Sequence, residues 1–226
     1  FLSNTATVFN GGGLLVRGDA TILDTTFRNN LTLASGGGGA AVEGNAIITN
    51  TTFLSNTAQS DGGGLWVGGE ATILGTTFLS NSIGAWGGGA WIGGVATITN
   101  TLWISNTAQQ SGGGLYLAGK SSQPASVVNS LFARNHSAYN EGDALYLFGQ
   151  QPGSSVTLLH NTLANPTVED GPAIYVRAGT VAITNTLIAN YAIAIEQEGG
   201  TASEDYTLFD GVTTPYSGTI SSGGHS

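Results

Sequence analysis

The sequence predicts an all-β fold, a single parallel β-helix of about 7–8 coils with three short strands and roughly 25 residues per coil. Three observations lead to this fold class. A glycine-strand motif recurs along the chain, a second block from Ala to Asn recurs between its copies, and no stretch shows helical periodicity. A fixed repeat of this length is typical of a solenoid, in which each coil packs only on its neighbours.

The glycine-strand motif is clearest at residues 62–67, where three glycines precede Leu65-Trp66-Val67. Side chains alternate between the two faces of a strand, so Leu65 and Val67 point one way and Trp66 the other. The flanking positions are aliphatic or Ala in every copy, which places them in the interior. The copies begin at Gly11, Gly37, Gly62, Gly87, Gly112, Gly142 and Gly171.

The middle position of the motif carries five consecutive aromatic residues. We call this set the aromatic row: Trp66, Trp91, Tyr116, Tyr146 and Tyr175. If successive coils are hydrogen-bonded neighbours, the row runs along the outside with a spacing of about 4.8 Å. Three interpretations stay open: the rings support the fold by stacking, they form a platform for sugar rings, or they are buried against another chain.

The second block supplies two further interior columns and a column of Asn. One interior column is aliphatic and the other is mostly aromatic. Stacked Asn side chains can hydrogen-bond to the coils above and below while the backbone turns. The aliphatic column is Ile22, Ile48, Ile73, Ile98, Val127, Leu158 and Ile183; the aromatic column is Phe27, Phe53, Phe78, Trp103 and Phe132, continued by Leu163 and Ile188; the Asn column is Asn30, Asn56, Asn81, Asn106, Asn135, Asn165 and Asn190.

A second polar column lies between the two interior columns, where we expect a bend between strands. Its members are Asn50, Asn100, Asn129, His160 and Asn185, and it is interrupted by Asp24 and Gly75. We interpret His160 as a hydrogen-bonding substitute for Asn and not as a catalytic residue.

The repeats define one unit, 1–195, and an irregular C-terminal coil or tail, 196–226, that continues the solenoid. In the tail only 206–209 and 218–220 have the pattern of strands. Its acidic residues Glu196, Glu198, Glu204 and Asp205 are expected to keep this end soluble.

The charge and the residue composition indicate which classes of partner are disfavoured. The net charge of −9 and only five Lys and Arg disfavour nucleic acid, which calls for basic stripes. No run of 18 apolar residues is present, so no transmembrane segment is predicted. The chain has no cysteine, which is compatible with an extracellular solenoid held by ladders.

The repeats Phe27-Arg28-Asn29-Asn30, Phe53-Leu54-Ser55-Asn56 and Phe78-Leu79-Ser80-Asn81, paired with Gly-Gly-x-aliphatic strands, resemble those of polymorphic outer membrane proteins. More broadly, they resemble right-handed parallel β-helix repeats of bacterial surface and secreted proteins, over about residues 1–190. The resemblance implies a right-handed coil, an extracellular or cell-surface location and an adhesive or structural role.

Enzymatic chemistry must be weighed, because β-helices also carry polysaccharide lyases and glycosidases. The best acidic cluster is Glu141, Asp143, Glu169 and Asp170, which could bind Ca²⁺ or act as an acid–base pair. We favour a solvated corner in which acidic residues fall by chance. Asp61 occupies the position equivalent to Glu141 without an acidic neighbour, and in the coil between them this position is Ser111. Ice binding would need two Thr per coil in regular ranks, and only Thr97-Ile98-Thr99 provides them.

The sequence therefore predicts a non-enzymatic extracellular structural or adhesive β-solenoid without a cofactor. Its expected partner is itself or another surface protein, through end-to-end or lateral contact. The first coil shows no capping element, so we expect another copy or further sequence to continue it, which would build a filament. The alternative is a carbohydrate-binding or polysaccharide-degrading β-helix that uses the aromatic row.

Overall fold

The computed structural model describes residues 1–120 and 122–226, with Glu169 and Asp170 described by their backbone only. In this part of the chain every regular element is a β-strand, and neighbouring strands pair in parallel. The strands are β1 (Thr5–Ala6), β2 (Leu14–Val16), β3 (Ala20–Leu23), β4 (Thr26–Arg28), β5 (Leu31–Thr32), β6 (Ala40–Val42), β7 (Ala46–Thr49), β8 (Thr52–Leu54), β9 (Thr57–Ala58), β10 (Leu65–Val67), β11 (Ala71–Leu74), β12 (Thr77–Leu79), β13 (Ser82–Ile83), β14 (Ala90–Ile92), β15 (Ala96–Thr99), β16 (Leu102–Ile104), β17 (Thr107–Ala108), β18 (Leu115–Leu117), β19 (Ala125–Val128), β20 (Leu131–Ala133), β21 (His136–Ser137), β22 (Leu145–Phe148), β23 (Ser155–Leu159), β24 (Thr162–Ala178), β25 (Thr180–Thr184), β26 (Leu187–Gln197), β27 (Thr201–Asp205), β28 (Leu208–Asp210), β29 (Thr214–Ser217) and β30 (Ile220–Ser222).

Each coil contributes one strand to each of three faces, which confirms the predicted parallel β-helix. The first face begins with β2, β6 and β10, the second with β3, β7 and β11, and the third with β4, β8 and β12. A two-residue strand after each Asn of the first coils was not predicted; these strands form a six-stranded ladder. The long strands β24 and β26 run through the third face and the next first face without a break. They join these two faces into one fifteen-stranded sheet.

The interior columns are in the predicted register. Phe53 pairs with Phe78 and Ile48 with Ile73, so like residues stack on like residues. Phe53, Phe78 and Leu65 are fully buried, as expected. The rings of Phe53 and Phe78 lie 4.9 Å apart with an angle of 2° between their planes. Such stacking is favoured because the coil spacing of about 4.8 Å brings each ring over the next.

The Asn column forms a buried hydrogen-bonded ladder from Asn30 to Asn135. The side-chain oxygen of Asn81 accepts hydrogen bonds from both the backbone N–H and the side-chain amide of Asn56, each at 3.0 Å. The ladder stops before Asn165, because the block there is one residue shorter. The Asn165 oxygen accepts from the backbone N–H of Arg134 at 2.8 Å. The expected continuation of the column through Asn165 and Asn190 is therefore wrong.

The second polar column marks the corner between the second and third faces, as predicted. Its members, including Asp24, Gly75 and His160, have φ between 48° and 59°. This left-handed region is tolerated by Gly, Asn and Asp far better than by other residues. Asp24 and Gly75 therefore preserve the corner and do not interrupt it.

Two of the motif glycines are required for different reasons. Gly62 has a φ of +66°, and a Cβ there would lie 2.1 Å from the carbonyl oxygen of Leu65. A Cβ on Gly63 would lie 2.2 Å from the carbonyl oxygen of Gly88 in the next coil. The glycine motif thus allows the chain to turn and the coils to approach closely before the first-face strand begins.

The C-terminal segment has more structure than the sequence indicated. Strands β27 and β30 extend the second face, while β28 and β29 pair with β26. The strands over 201–205 and 214–217 were missed, because their polar residues hide the alternation. The expectation that Glu204 acts as a solubilising surface residue is wrong, since its side chain is buried.

Candidate binding face

The aromatic row lies outside the main core and forms its own cluster with Ala118. Consecutive members pair in register, and their ring centroids are 5.6, 6.4, 4.7 and 5.2 Å apart from Trp66 to Tyr175. The planes of these pairs differ by 16° or less. The last four members are only 7–8% exposed. The expected line is present, but its ring faces are covered by neighbouring rings.

Polar groups flank the C-terminal half of the row. The Tyr175 hydroxyl donates to Oε2 of Glu198 at 2.5 Å, and Glu198 also forms an ion pair with Arg177. In the N-terminal half, the Lys120 ammonium lies over the ring of Trp91, 4.9 Å from its centroid, which is a cation–π distance. Charged groups that can donate or accept hydrogen bonds thus lie next to the row at Trp91 and at Tyr175.

A second line of residues runs beside the row at the corner before the glycine motif. We call it the corner column: Asp61, Trp86, Ser111 and Glu141, which are joined by successive parallel bridges. The Ser111 hydroxyl donates to Oε2 of Glu141 at 2.6 Å. The corner column confirms that Asp61, Ser111 and Glu141 occupy equivalent slots.

Trp86 is the member of the corner column that the sequence analysis missed. Its ring is tilted by 45° from that of Tyr116, with 6.3 Å between centroids, and the residue is 38% exposed. The signal was available, since Trp86 stands directly before Gly87, as Asp61 stands before Gly62. Unlike the rings of the row, Trp86 is not stacked in parallel and offers a ring to a ligand.

The electrostatics of the face favour neutral tyrosines. Burial raises the pKa of Tyr146 to about 12, and the charge of Glu141 adds to this effect. Burial also raises the pKa of Tyr116 and of Tyr175. The pKa of Glu196 is raised by burial and by the negative charge of Glu141. Glu141 and Glu196 therefore act on the same part of the face.

Burial also raises the pKa of Asp61, although a hydrogen bond from Ser60 and the charge of Lys120 oppose this shift. The general acid of a glycosidase is likewise a carboxyl whose pKa is raised by an apolar surrounding.

The predicted acidic cluster is divided by the structure. The Asp143 carboxylate is fully buried and accepts a hydrogen bond from the backbone N–H of Ser137 at 2.7 Å. Glu141 instead bonds to Ser111. The side chains of Glu169 and Asp170 lie outside the described residues. Among the residues that are described, no group of three or more His, Cys, Asp or Glu is arranged to hold a metal ion. The expectation of a solvated corner is wrong for Asp143, which is buried. The expectation that the cluster holds no metal, with Ca²⁺ as its alternative, stays a prediction.

Two histidines lie near acidic residues that belong neither to the aromatic row nor to the corner column. His225 lies in the C-terminal segment, where its Nδ1 is 2.8 Å from Asp205. His136 is half-exposed, with its Nδ1 3.7 Å from the Asp143 carboxylate. The part of the chain that the structure describes contains no helix long and apolar enough to cross a membrane.

Comparison with known proteins agrees with this architecture. The parallel ladders and repeated corners define a β-solenoid. The profile of the family described as right handed beta helix region matches residues 1–208, so the chain belongs to the right-handed β-helix family. No curated protein and no solved structure matches significantly.

Proposed function

We propose that this chain is a rigid, non-enzymatic β-solenoid segment of an extracellular structural or adhesive protein, akin to the polymorphic outer membrane protein repeats that its motifs resemble. The observation that carries the proposal is the use of the aromatic row. Its ring faces pack on one another across five coils, so the row holds successive coils together and leaves little area for a ligand. A row built as a sugar platform would present ring faces to solvent.

Two interior features support the same stiffening role. The stacked Phe column and the Asn ladder also connect each coil to the next, through ring contacts and buried hydrogen bonds. Three parallel lines of contact oppose bending of the solenoid in different directions. Stiffness is the mechanical property that a surface fibre or stalk requires.

An adhesive role is supported by the outer surfaces of the second and third faces. No residue in strands β7, β8, β11, β12, β15, β16, β19 or β20 is charged. Outward residues such as Ile47, Leu74 and Leu102 are 40–49% exposed. A regular surface of Thr and aliphatic side chains suits contact with uncharged surfaces.

Adhesion can be measured by labelling this chain with a fluorophore and adding it to beads. The beads are coated with uncharged polysaccharide or with bacterial surface protein, or are left uncoated. Retention on a coated bead should fall several-fold when Leu74 and Leu102 are both replaced by Lys. The matched control places Lys at Glu43 and Glu70, which are exposed but outside these strands. Equal retention of the two variants, or no retention of the original chain on any coated bead, would refute the adhesive role.

A second candidate function, binding or cleavage of a polysaccharide, is favoured by Trp86. This exposed ring, the carboxyls of Asp61 and Glu141 and the Lys120 ammonium border the same stretch of the row. Sugars stack on exposed aromatic rings and hydrogen-bond to such groups. In this second function the sugar would bind to the corner column and not to the rings of the aromatic row.

Titration of neutral and acidic oligosaccharides against tryptophan fluorescence tests this second function, with release of reducing ends and of unsaturated products followed in parallel. Saturable binding that Trp86→Ala abolishes, while Tyr139→Ala (an exposed ring outside the face) retains it, would establish a carbohydrate site. Product release that disappears in Glu141→Gln would overturn the non-enzymatic proposal.

A further inference from the structure

The C-terminal coil contains a buried carboxylate where every earlier coil has an aliphatic residue. Glu204 in β27 pairs with Ile183 in β25, so it occupies the next position of the aliphatic interior column. Its side chain is 2% exposed. A buried carboxylate is costly unless it is well hydrogen-bonded. Hydrogen-bond donors must therefore compensate for the position of Glu204.

These donors come from the segment that follows. The Tyr216 hydroxyl donates to Oε1 of Glu204 at 2.5 Å, and the Ser226 hydroxyl donates to Oε2. The backbone N–H of Gly223 donates to the Glu204 carbonyl at 2.8 Å. Strand β30 lies on β27 with Ser222 opposite Glu204. One carboxylate thus connects β27, β29, β30 and the residues after β30.

The same segment is held at a second point on the outside. The ring of His225 stacks on that of Tyr206, with centroids 4.4 Å apart, and its Nδ1 lies 2.8 Å from Asp205. A Cβ on Gly223 would lie 2.3 Å from Cγ of Asp205, so the backbone passes directly over this carboxylate. Residues 216–226 therefore fold back over β27.

We propose that Glu204 and residues 216–226 form a latch that stays fastened over β27 while Glu204 is ionised and opens when this carboxylate is neutralised. An open latch uncovers the edge of β27, whose unpaired backbone groups can then accept another strand. The inference is independent of the structural or adhesive role proposed above.

The charges around Glu204 determine the direction of the response. Burial raises its pKa, but hydrogen bonds from Ser226, Tyr216, Ser222 and Thr207 outweigh this effect, so the pKa lies below its ordinary value of 4.5. Ile183 faces Glu204 from β25 and carries no charge, while Tyr216 faces it from β29. Asp205 and His225 lie beside it on the outer side. Because the folded pKa is depressed, the ionised carboxylate stabilises the latch above pH 4.5, and the stabilisation disappears as the pH falls through the folded pKa.

Hydrogen exchange measured by mass spectrometry tests the latch at pH 7, with the variants Glu204→Leu and Tyr216→Phe. Leu fits the aliphatic column but accepts no hydrogen bond, and Phe removes a single hydroxyl. Exchange in 216–226 should accelerate at least tenfold in Glu204→Leu and less in Tyr216→Phe, whereas the coils before residue 190 should be unchanged. The matched control is Asp210→Asn, which removes an exposed charge from the same coil.

Acid should reproduce the effect in the original chain. At pH 3, with rates corrected for the intrinsic pH dependence of exchange, 216–226 should lose protection. The loss between pH 7 and pH 3 should be smaller in Glu204→Leu, because this variant already lacks the carboxylate of Glu204. Unchanged protection of 216–226 in Glu204→Leu at pH 7 would overturn the proposal. So would acceleration spread evenly over all coils, since this would indicate general destabilisation and not a latch.

Discussion

The Asn ladder offers the sharpest test of how consecutive coils are held together. In Asn81→Ala, the backbone N–H of Asn56 loses its acceptor, which costs about 1–3 kcal/mol for a buried group. Three further side-chain bonds are lost, to the amide of Asn56, to the Phe53 carbonyl and to Asn106, each with a net contribution of about 0.5–1.5 kcal/mol. The sum is about 2.5–7.5 kcal/mol. A water molecule that enters the vacated site would restore some of these bonds, so we expect about 3 kcal/mol.

Urea unfolding followed by far-UV circular dichroism measures this change as a lower midpoint at constant slope. The matched control is Asn50→Gly, which removes the same amide from an exposed corner with a φ of +50°. Because Gly prefers that conformation, the control should change the free energy of unfolding by no more than about 1 kcal/mol. A cost for Asn81→Ala no larger than that of the control would refute the ladder argument.

Three other predictions concern the columns and the tyrosines. Phe78→Ala should lower the free energy of unfolding by about 3–5 kcal/mol, because it empties the centre of a ring stack; a loss below 1 kcal/mol in urea unfolding would contradict this. Tyr146→Leu should lose two ring contacts, about 1–3 kcal/mol in total, and unaltered stability would instead favour a ligand-binding row. Because burial raises the pKa of these tyrosines, their neutral form stabilises the folded chain. This contribution is intact below pH 10 and declines as the pH rises towards 12. Absorbance at 295 nm should therefore show tyrosines that ionise above pH 10 until the fold is lost, and ionisation of all tyrosines near 10 in the folded chain would be the contrary result.

The fold could be predicted from the sequence because a solenoid encodes its contacts locally. The alternation in Leu65-Trp66-Val67 separates interior from exterior within three residues. The repeat of the motif then identifies which residues of neighbouring coils meet, so Phe53 had to stack on Phe78. Long-range pairing, which usually depends on the whole fold, here follows from counting residues.

The candidate site could be predicted only in part. The positions of the aromatic row were predicted correctly, but the sequence left open whether the rings stack, bind sugars or meet another chain, because ring-on-ring coverage depends on how far the side chains tilt towards each other. Trp86 was overlooked although it stands directly before Gly87, since one aromatic among Asp, Ser and Glu does not stand out as a member of a column. Its importance appears only where the corner places it beside Tyr116.

The sequence by itself determined the parallel β-helix, the interior columns and the place of the corner between the second and third faces, because each follows from side-chain alternation, the repeat length and the occurrence of Asn at turns. The tertiary structure decided the end of the Asn ladder, since a block one residue shorter moves the Asn165 oxygen to the backbone of Arg134. It also decided the burial of Glu204. A carboxylate in a polar tail predicts a solvated charge, and only the folded-back donors from Tyr216 and Ser226 make an interior position favourable.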